Sequence, residues 1–175
     1  MHLRSGGFSR LELLVVVGVI ALLTVVTVPE FGQSASDARL DQLDVRLFEL
    51  RHAIADYRRD HAGALPGVAA THSRGGSAAP HASAEQAFVL QLMRPSDLAG
   101  NTAEEPSAAF AFGPYLRPGL PQSPVAGEQP AGRAASVGVV AQPPPLRAQP
   151  GLQAAWLYSS VTGQLIANHP AYQER

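Results

Sequence analysis

An apolar run near the N-terminus constrains this chain more than any other feature. From Leu13 to Val28 every residue is apolar except Gly18, Thr24 and Thr27, with Glu12 immediately before the run and Pro29 immediately after it. Those sixteen residues, as a helix, cover about 24 Å, short of the ~30 Å hydrocarbon core of a bilayer. Counting from Phe8 gives twenty-one residues and about 31 Å, enough to cross. Arg4 and Arg10 lie on the N-terminal side, so the positive-inside rule predicts a cytoplasmic N-terminus and an exported remainder. Glu12 is the anomaly, because an acid at mid-bilayer costs roughly 2.5–3.5 kcal/mol and a plain anchor has no use for one.

A secretory signal peptide is the simpler alternative. Basic Arg4 and Arg10, the apolar run and the small residues Ser34-Ala35-Ser36 have the required order. Against it, the run is long for such a segment, Glu12 stands where the run should begin, and helical patterning continues past the cleavage position.

The stretch Gly7-Phe8-Ser9-Arg10-Leu11-Glu12-Leu13-Leu14-Val15-Val16 resembles the prepilin cleavage and methylation motif. That motif is shared by type IV pilins and the pseudopilins of type II secretion systems. Leader, Gly, Phe, correctly spaced Glu and apolar helix coincide in order, and Pro29 falls where such helices commonly carry a kink. The resemblance implies that a prepilin peptidase cleaves between Gly7 and Phe8 and that the new Phe8 amine is N-methylated. It also gives the acid a role in assembly: Glu12 of one subunit meets the Phe8 amine of its neighbour, one helical turn from its own. Pairing compensates part of the cost of a buried charge and fixes axial register.

Beyond Pro29 the pattern turns amphipathic. Leu40, Leu43, Leu47, Leu50, Ile54, Tyr57 and His61 recur at spacings of three and four, which predicts one buried helix face. Gly63 and Pro66 end the run. Residues 62–82 read as a small-residue loop, and Ser83-Ala84-Glu85-Gln86 has the form of a capping box opening a short helix that Pro95 stops. The segments Phe112-Gly113-Pro114-Tyr115-Leu116 and Leu120-Pro121-Gln122-Ser123-Pro124 resemble a recurrent stretch in pseudopilin heads, on the major-pseudopilin side. Two β-prone runs, 154–158 and 164–167, flank a Gly-containing connection and predict a hairpin, with Val137-Gly138-Val139-Val140 as a third strand.

The expected fold is therefore α+β and pilin-like. A long N-terminal helix, transmembrane in its first half and amphipathic in its second, packs on a small C-terminal antiparallel sheet. The expected divisions are a leader over residues 1–7, a transmembrane and filament-core helix over 8–29, its amphipathic continuation over 30–61, and a loop-rich periplasmic head over 62–175. The expected location is the bacterial inner membrane, single-pass, with the head periplasmic or extracellular.

Composition narrows the chemistry. A net charge of −1 provides no basic field for nucleic acid, and none is expected as a partner. With no Cys there are no disulfides or thiolate metal sites. The histidines His2, His52, His61, His72, His81 and His169 show no metal-ligand spacing, and after Glu105 the chain has no Asp and only Glu128 and Glu174. A calcium site, which the resemblance would otherwise imply for the head, is not expected, because calcium takes six to eight oxygens including carboxylates. No catalytic residue, metal or cofactor is expected.

The function implied is that of a structural subunit of a type II secretion pseudopilus or type IV pilus-like filament, made as a membrane precursor and not an enzyme. Its expected partners are further copies of itself, other pseudopilins, membrane lipid, the prepilin peptidase and an inner-membrane platform with a cytoplasmic ATPase. Two alternatives stay open: a membrane-tethered periplasmic binding domain or enzyme, and a minor pilin of a DNA-uptake system.

Overall fold

The computed structural model describes residues 9–68, 83–125 and 135–175, with the side chains of 22–35 outside that description. Helix α1 runs over Arg10–Asp60. Ser9 stands at its N-cap, where the hydroxyl accepts from Glu12 N–H at 3.2 Å and the carbonyl accepts from Leu13 N–H at 3.1 Å. At the other end the chain turns through Ala62 in the left-handed region (φ 53°), and Gly63 N–H donates to Arg58 C=O at 2.8 Å, closing the last turn. Arg58 and Arg59 in that turn complement the negative end of the helix dipole.

The chain forms two compact units, Met1–Arg39 and Leu40–Arg175. In the second, Leu43, Leu47, Leu50, Ile54, Tyr57 and His61 are buried along one face of α1. Helix α2 (Ala84–Met93) is capped by Ser83, which accepts from Gln86 N–H at 3.2 Å, and contributes Phe88 and Leu92 to the same core. The carbonyl of Leu92 accepts from Tyr115 and Leu116 N–H at 2.8 and 2.9 Å, which docks the Gly113-to-Leu116 turn at the end of α2.

Three strands complete the head: β1 (Val137–Val140), β2 (Trp156–Ser159) and β3 (Leu165–Ala167), in the order β1-β2-β3. In β2, Trp156 and Tyr158 point into the helix-lined core with Leu165 and Ala167 of β3, while Leu157 and Ile166 face the other way and are covered by Leu146. Both faces of the central strand are thus dry, which is why all four of its residues are buried. The lone Trp donates its indole N–H to Pro121 C=O at 2.8 Å, satisfying the one polar atom a buried Trp carries.

The chain between β1 and β2 is irregular and is held from β3. The Asn168 amide donates to the carbonyls of Gln149, Leu152 and Ala154 at 3.1, 3.0 and 2.9 Å, and its oxygen accepts from Gln149 N–H at 2.7 Å. Gln164 accepts from Leu146 N–H at 3.2 Å, and Ser159 donates to Gln142 C=O at 2.7 Å. These bonds replace the ladder that the Pro143-Pro144-Pro145 stretch cannot supply.

Several expectations need correction. The sheet is mixed rather than antiparallel, because β1 runs parallel to β2 in the register Val137↔Trp156, and only β2 and β3 are antiparallel. A parallel neighbour requires a long crossover, which residues 141–155 provide. The expected pilin-like helix with a transmembrane first half is also corrected. The contacts divide at Arg39 and Leu40, so only the part of α1 from Leu40 onward belongs to the head. Among the described residues no helix is long and apolar enough to cross a membrane. The uncharged apolar run, Leu13 to Val28, covers about 24 Å of the ~30 Å needed, and extending it to Phe8 takes in Arg10 and Glu12. The transmembrane assignment and the single-pass inner-membrane location fall with it.

Candidate functional site

The residues singled out by sequence cluster at the start of α1. Gly7 and Phe8, the expected cleavage and methylation positions, lie outside the described residues, as does the side chain of Pro29, the expected kink. Glu12 is described, and its surroundings are unusual. Leu11, Leu13, Leu14, Val15, Val16, Val17, Val19 and Ile20 are all exposed, from 47% at Val16 to 75% at Leu11. Consecutive residues of a helix point in all directions, so this is an apolar sleeve rather than a stripe. A helix apolar all round is stable only when something covers it.

Glu12 sits at the third position of α1, and Ser9 at the cap gives the pattern Ser-x-x-Glu of a capping box. This local role was missed from the sequence, although the spacing was there to be read. An acid in the first turn also gains from the positive end of the helix dipole. Its carboxylate makes no hydrogen bond or ion pair among the described residues. Only the Ser9 half of the box is thus formed, and Glu12 favours the helix start through the dipole while its carboxylate stays unpaired among the described residues at the head of the sleeve.

The head carries a second polar constellation. His61 stacks on Tyr57 with centroids 3.8 Å apart and lies against Phe112 and Tyr115. Its Nδ1–H donates to Tyr57 C=O at 2.8 Å, because a carbonyl can only accept, so Nε2 accepts from the Ser96 hydroxyl at 3.0 Å. A Ser–His pair at this distance has the outline of an activated nucleophile. Two observations remove that reading. Ser96 is 0% exposed and His61 2%, and Nδ1 is spent on a backbone carbonyl rather than on an orienting carboxylate. The pair ties the end of α1 to the segment after α2. Nearby, Asp97 accepts from Ala99 N–H, Asn101 N–H and the Asn101 amide, folding the 97–101 loop on itself.

Burial, the largest influence, pushes the hydroxyls of Tyr57 and Tyr158 well above the usual tyrosine range. Asp97 adds to the effect at Tyr57; at Tyr158 the charge of Arg58 opposes it. The Tyr158 hydroxyl and the Ser123 hydroxyl are buried without a hydrogen-bond partner among the described residues. No group of three or more His, Asp or Glu converges to hold a metal among the described residues, and His72 and His81 lie outside them. His52 pairs with Asp56 at 2.9 Å on the surface, and His169 caps the short 3-10 turn at Pro170–Tyr172.

No family model, no curated protein and no solved structure matches this chain.

Proposed function

We propose that this chain is a structural subunit of a pseudopilus-like or type IV pilus-like filament. Its precursor is processed by a prepilin-type peptidase between Gly7 and Phe8, and further copies of the chain are its main partners. Related subunits and an ATPase-driven assembly platform complete the machinery, so the chain needs no catalytic residue of its own.

The observation that carries this reading is the Glu12 carboxylate, unpaired among the described residues, at the head of an exposed apolar sleeve. Fully burying one aliphatic side chain contributes about 1.5–3 kcal/mol. Eight side chains each roughly half to three-quarters exposed therefore offer on the order of 10 kcal/mol to an association that covers them. That is comparable to the ~4–15 kcal/mol cost of lost translational and rotational freedom. Apolar packing alone is indifferent to register. A negative charge that must find a positive one as the sleeve is covered supplies register. The motif around Gly7 and Phe8 offers that positive charge, the amine freed by cleavage.

The test separates the two roles of Glu12. Glu12→Gln keeps a capping-box side chain and removes the charge; Ser9→Ala removes the cap and keeps the charge. Filament formation, followed by sedimentation and electron microscopy, is expected to fail with Glu12→Gln and to survive Ser9→Ala, with the N-terminal residue of the assembled chain found to be Phe8. Assembly by Glu12→Gln at the unmodified level would refute the charge-pairing account. A mature chain beginning elsewhere would refute the processing.

A further inference from the structure

A groove of about 520 Å³ lies between the last turns of α1 and the β2–β3 turn. Its walls are Ile54, Ala55, Ala62 and Leu65, closed by Thr162 and Gly163, and its cations are Arg51, Arg58 and Arg59. The three cations differ. Arg59 is neutralised by Asp56 at 2.7 Å and Asp60 at 3.3 Å. Arg51 donates to Leu165 C=O at 3.2 and 2.9 Å, which fixes its position. Arg58 is exposed, and its guanidinium makes no hydrogen bond or ion pair among the described residues. The groove thus combines an apolar floor with a guanidinium that no carboxylate among the described residues pairs with.

Elsewhere on the head, an arch carries the complementary features. Glu104 and Glu105 are exposed, followed by exposed Ala108 and Ala109. Glu104 reaches Arg94 only at 3.7 Å, and Glu105 has no partner among the described residues. The arch is held at both ends: Ala103 N–H donates to Pro95 C=O at 2.9 Å, and Ser107 and Phe110 exchange backbone bonds at 3.3 and 3.1 Å. Neither acid lines the groove or forms an ion pair with its arginines within one copy.

We infer that the groove at Arg58 receives the Glu104–Glu105 arch of a second copy of this chain. Two different patches that fit each other make a head-to-tail contact, which generates a ring if it closes and a filament if it does not. The inference rests on the filament reading and adds the head contact to it. The opposite signs at the two patches select the pairing, and the small apolar side chains around each let the surfaces approach.

Charge reversal tests it on the full chain. Arg58→Glu alone places acid against acid, and Glu105→Arg alone places base against base, so each is expected to weaken self-association by about tenfold or more. An equimolar mixture of the two variants restores both junctions, since each groove then meets an arch of opposite sign, and its association is expected to return to near that of the unmodified chain. Circular dichroism establishes that each variant is folded. A chain with no Cys of its own also permits a clean cross-link, and Thr162→Cys with Ser107→Cys is expected to join copies under oxidation. Association that is indifferent to both reversals, or a mixture no better than its components, overturns the head contact while leaving the filament reading standing. Absence of association in the unmodified chain overturns both.

Discussion

Gly100 and Gly63 share a backbone conformation and differ in what surrounds them, which allows strain and crowding to be measured apart. Their φ angles are +82° and +88°, where any L side chain is disfavoured. A Cβ at Gly63 would meet nothing within 4 Å, whereas one at Gly100 would lie 2.6 Å from the Tyr57 hydroxyl oxygen and 2.9 Å from Gln91 Nε2. That Gln91 nitrogen donates to the Gly100 carbonyl at 3.0 Å, so it cannot retreat without losing a buried hydrogen bond. Left-handed backbone costs an alanine roughly 1–2 kcal/mol, offset by about 0.4–1 kcal/mol from the stiffer unfolded chain. Gly63→Ala is therefore expected to cost ~0.5–1 kcal/mol. Gly100→Ala adds overpacking of about 1–3 kcal/mol and is expected to cost ~2–4 kcal/mol. At roughly 3 °C per kcal/mol the two variants should differ in Tm by about 3–9 °C, read by thermal circular dichroism or urea titration. Tyr57→Phe in the Gly100→Ala background removes the closest clashing atom and is expected to recover part of the loss. If Gly100→Ala melts with Gly63→Ala, the close packing of the 97–101 loop on α1 is wrong.

Three further outcomes follow from the head. Leu50→Ala, at a position with 0% exposure in the α1 core, is expected to cost about 2–5 kcal/mol in urea denaturation, without loss of helix signal in the folded state. Asn168→Asp turns a donor facing three carbonyls into an acceptor, so it should destabilise by about 3 kcal/mol or more at neutral pH and partly recover where the carboxyl is protonated. Tyr57 and Tyr158 keep their protons to higher pH than an unfolded tyrosine, which ionises near pH 10, so above about that pH the unfolded state binds fewer protons. Their contribution is complete below pH ~10 and is lost as pH rises beyond it, and denaturant titrations of the unmodified chain against Tyr57→Phe and Tyr158→Phe should show that share falling on the alkaline side.

Local patterns in the sequence indicate much of this head. The three-and-four spacing from Leu43 to His61 marks the face of α1 that is buried, and Ser83 with Gln86 marks the start of α2. The β2–β3 hairpin shows as two β-prone runs around a glycine turn. Strand direction for β1 was not legible, because a four-residue apolar run carries no signal of orientation and its partner is set by a crossover held through Asn168 and Gln164. His61 shows the limit of pattern reading at single residues. Its place on the stripe indicated burial, but its bond to Ser96 spans thirty-five residues and no local signal announces it. The groove at Arg58 joins a helix end to a turn more than one hundred positions away, so its cationic character emerges only from the folded chain. At Glu12 the sequence suggested a partner for the acid between copies, and the structure adds a cap on its backbone N–H from the Ser9 hydroxyl.

The indole of Trp156, sealed at 0% exposure against Pro121, has an optical consequence. With no other Trp in the chain, intrinsic emission excited at the red edge reports on one location within the Leu40–Arg175 unit. Its blue-shifted spectrum should persist while the apolar helix near the N-terminus changes its company, and should redden when the head opens. A fluorescence melt is thus a head-specific thermometer, and light scattering recorded in the same cuvette follows polymerisation independently.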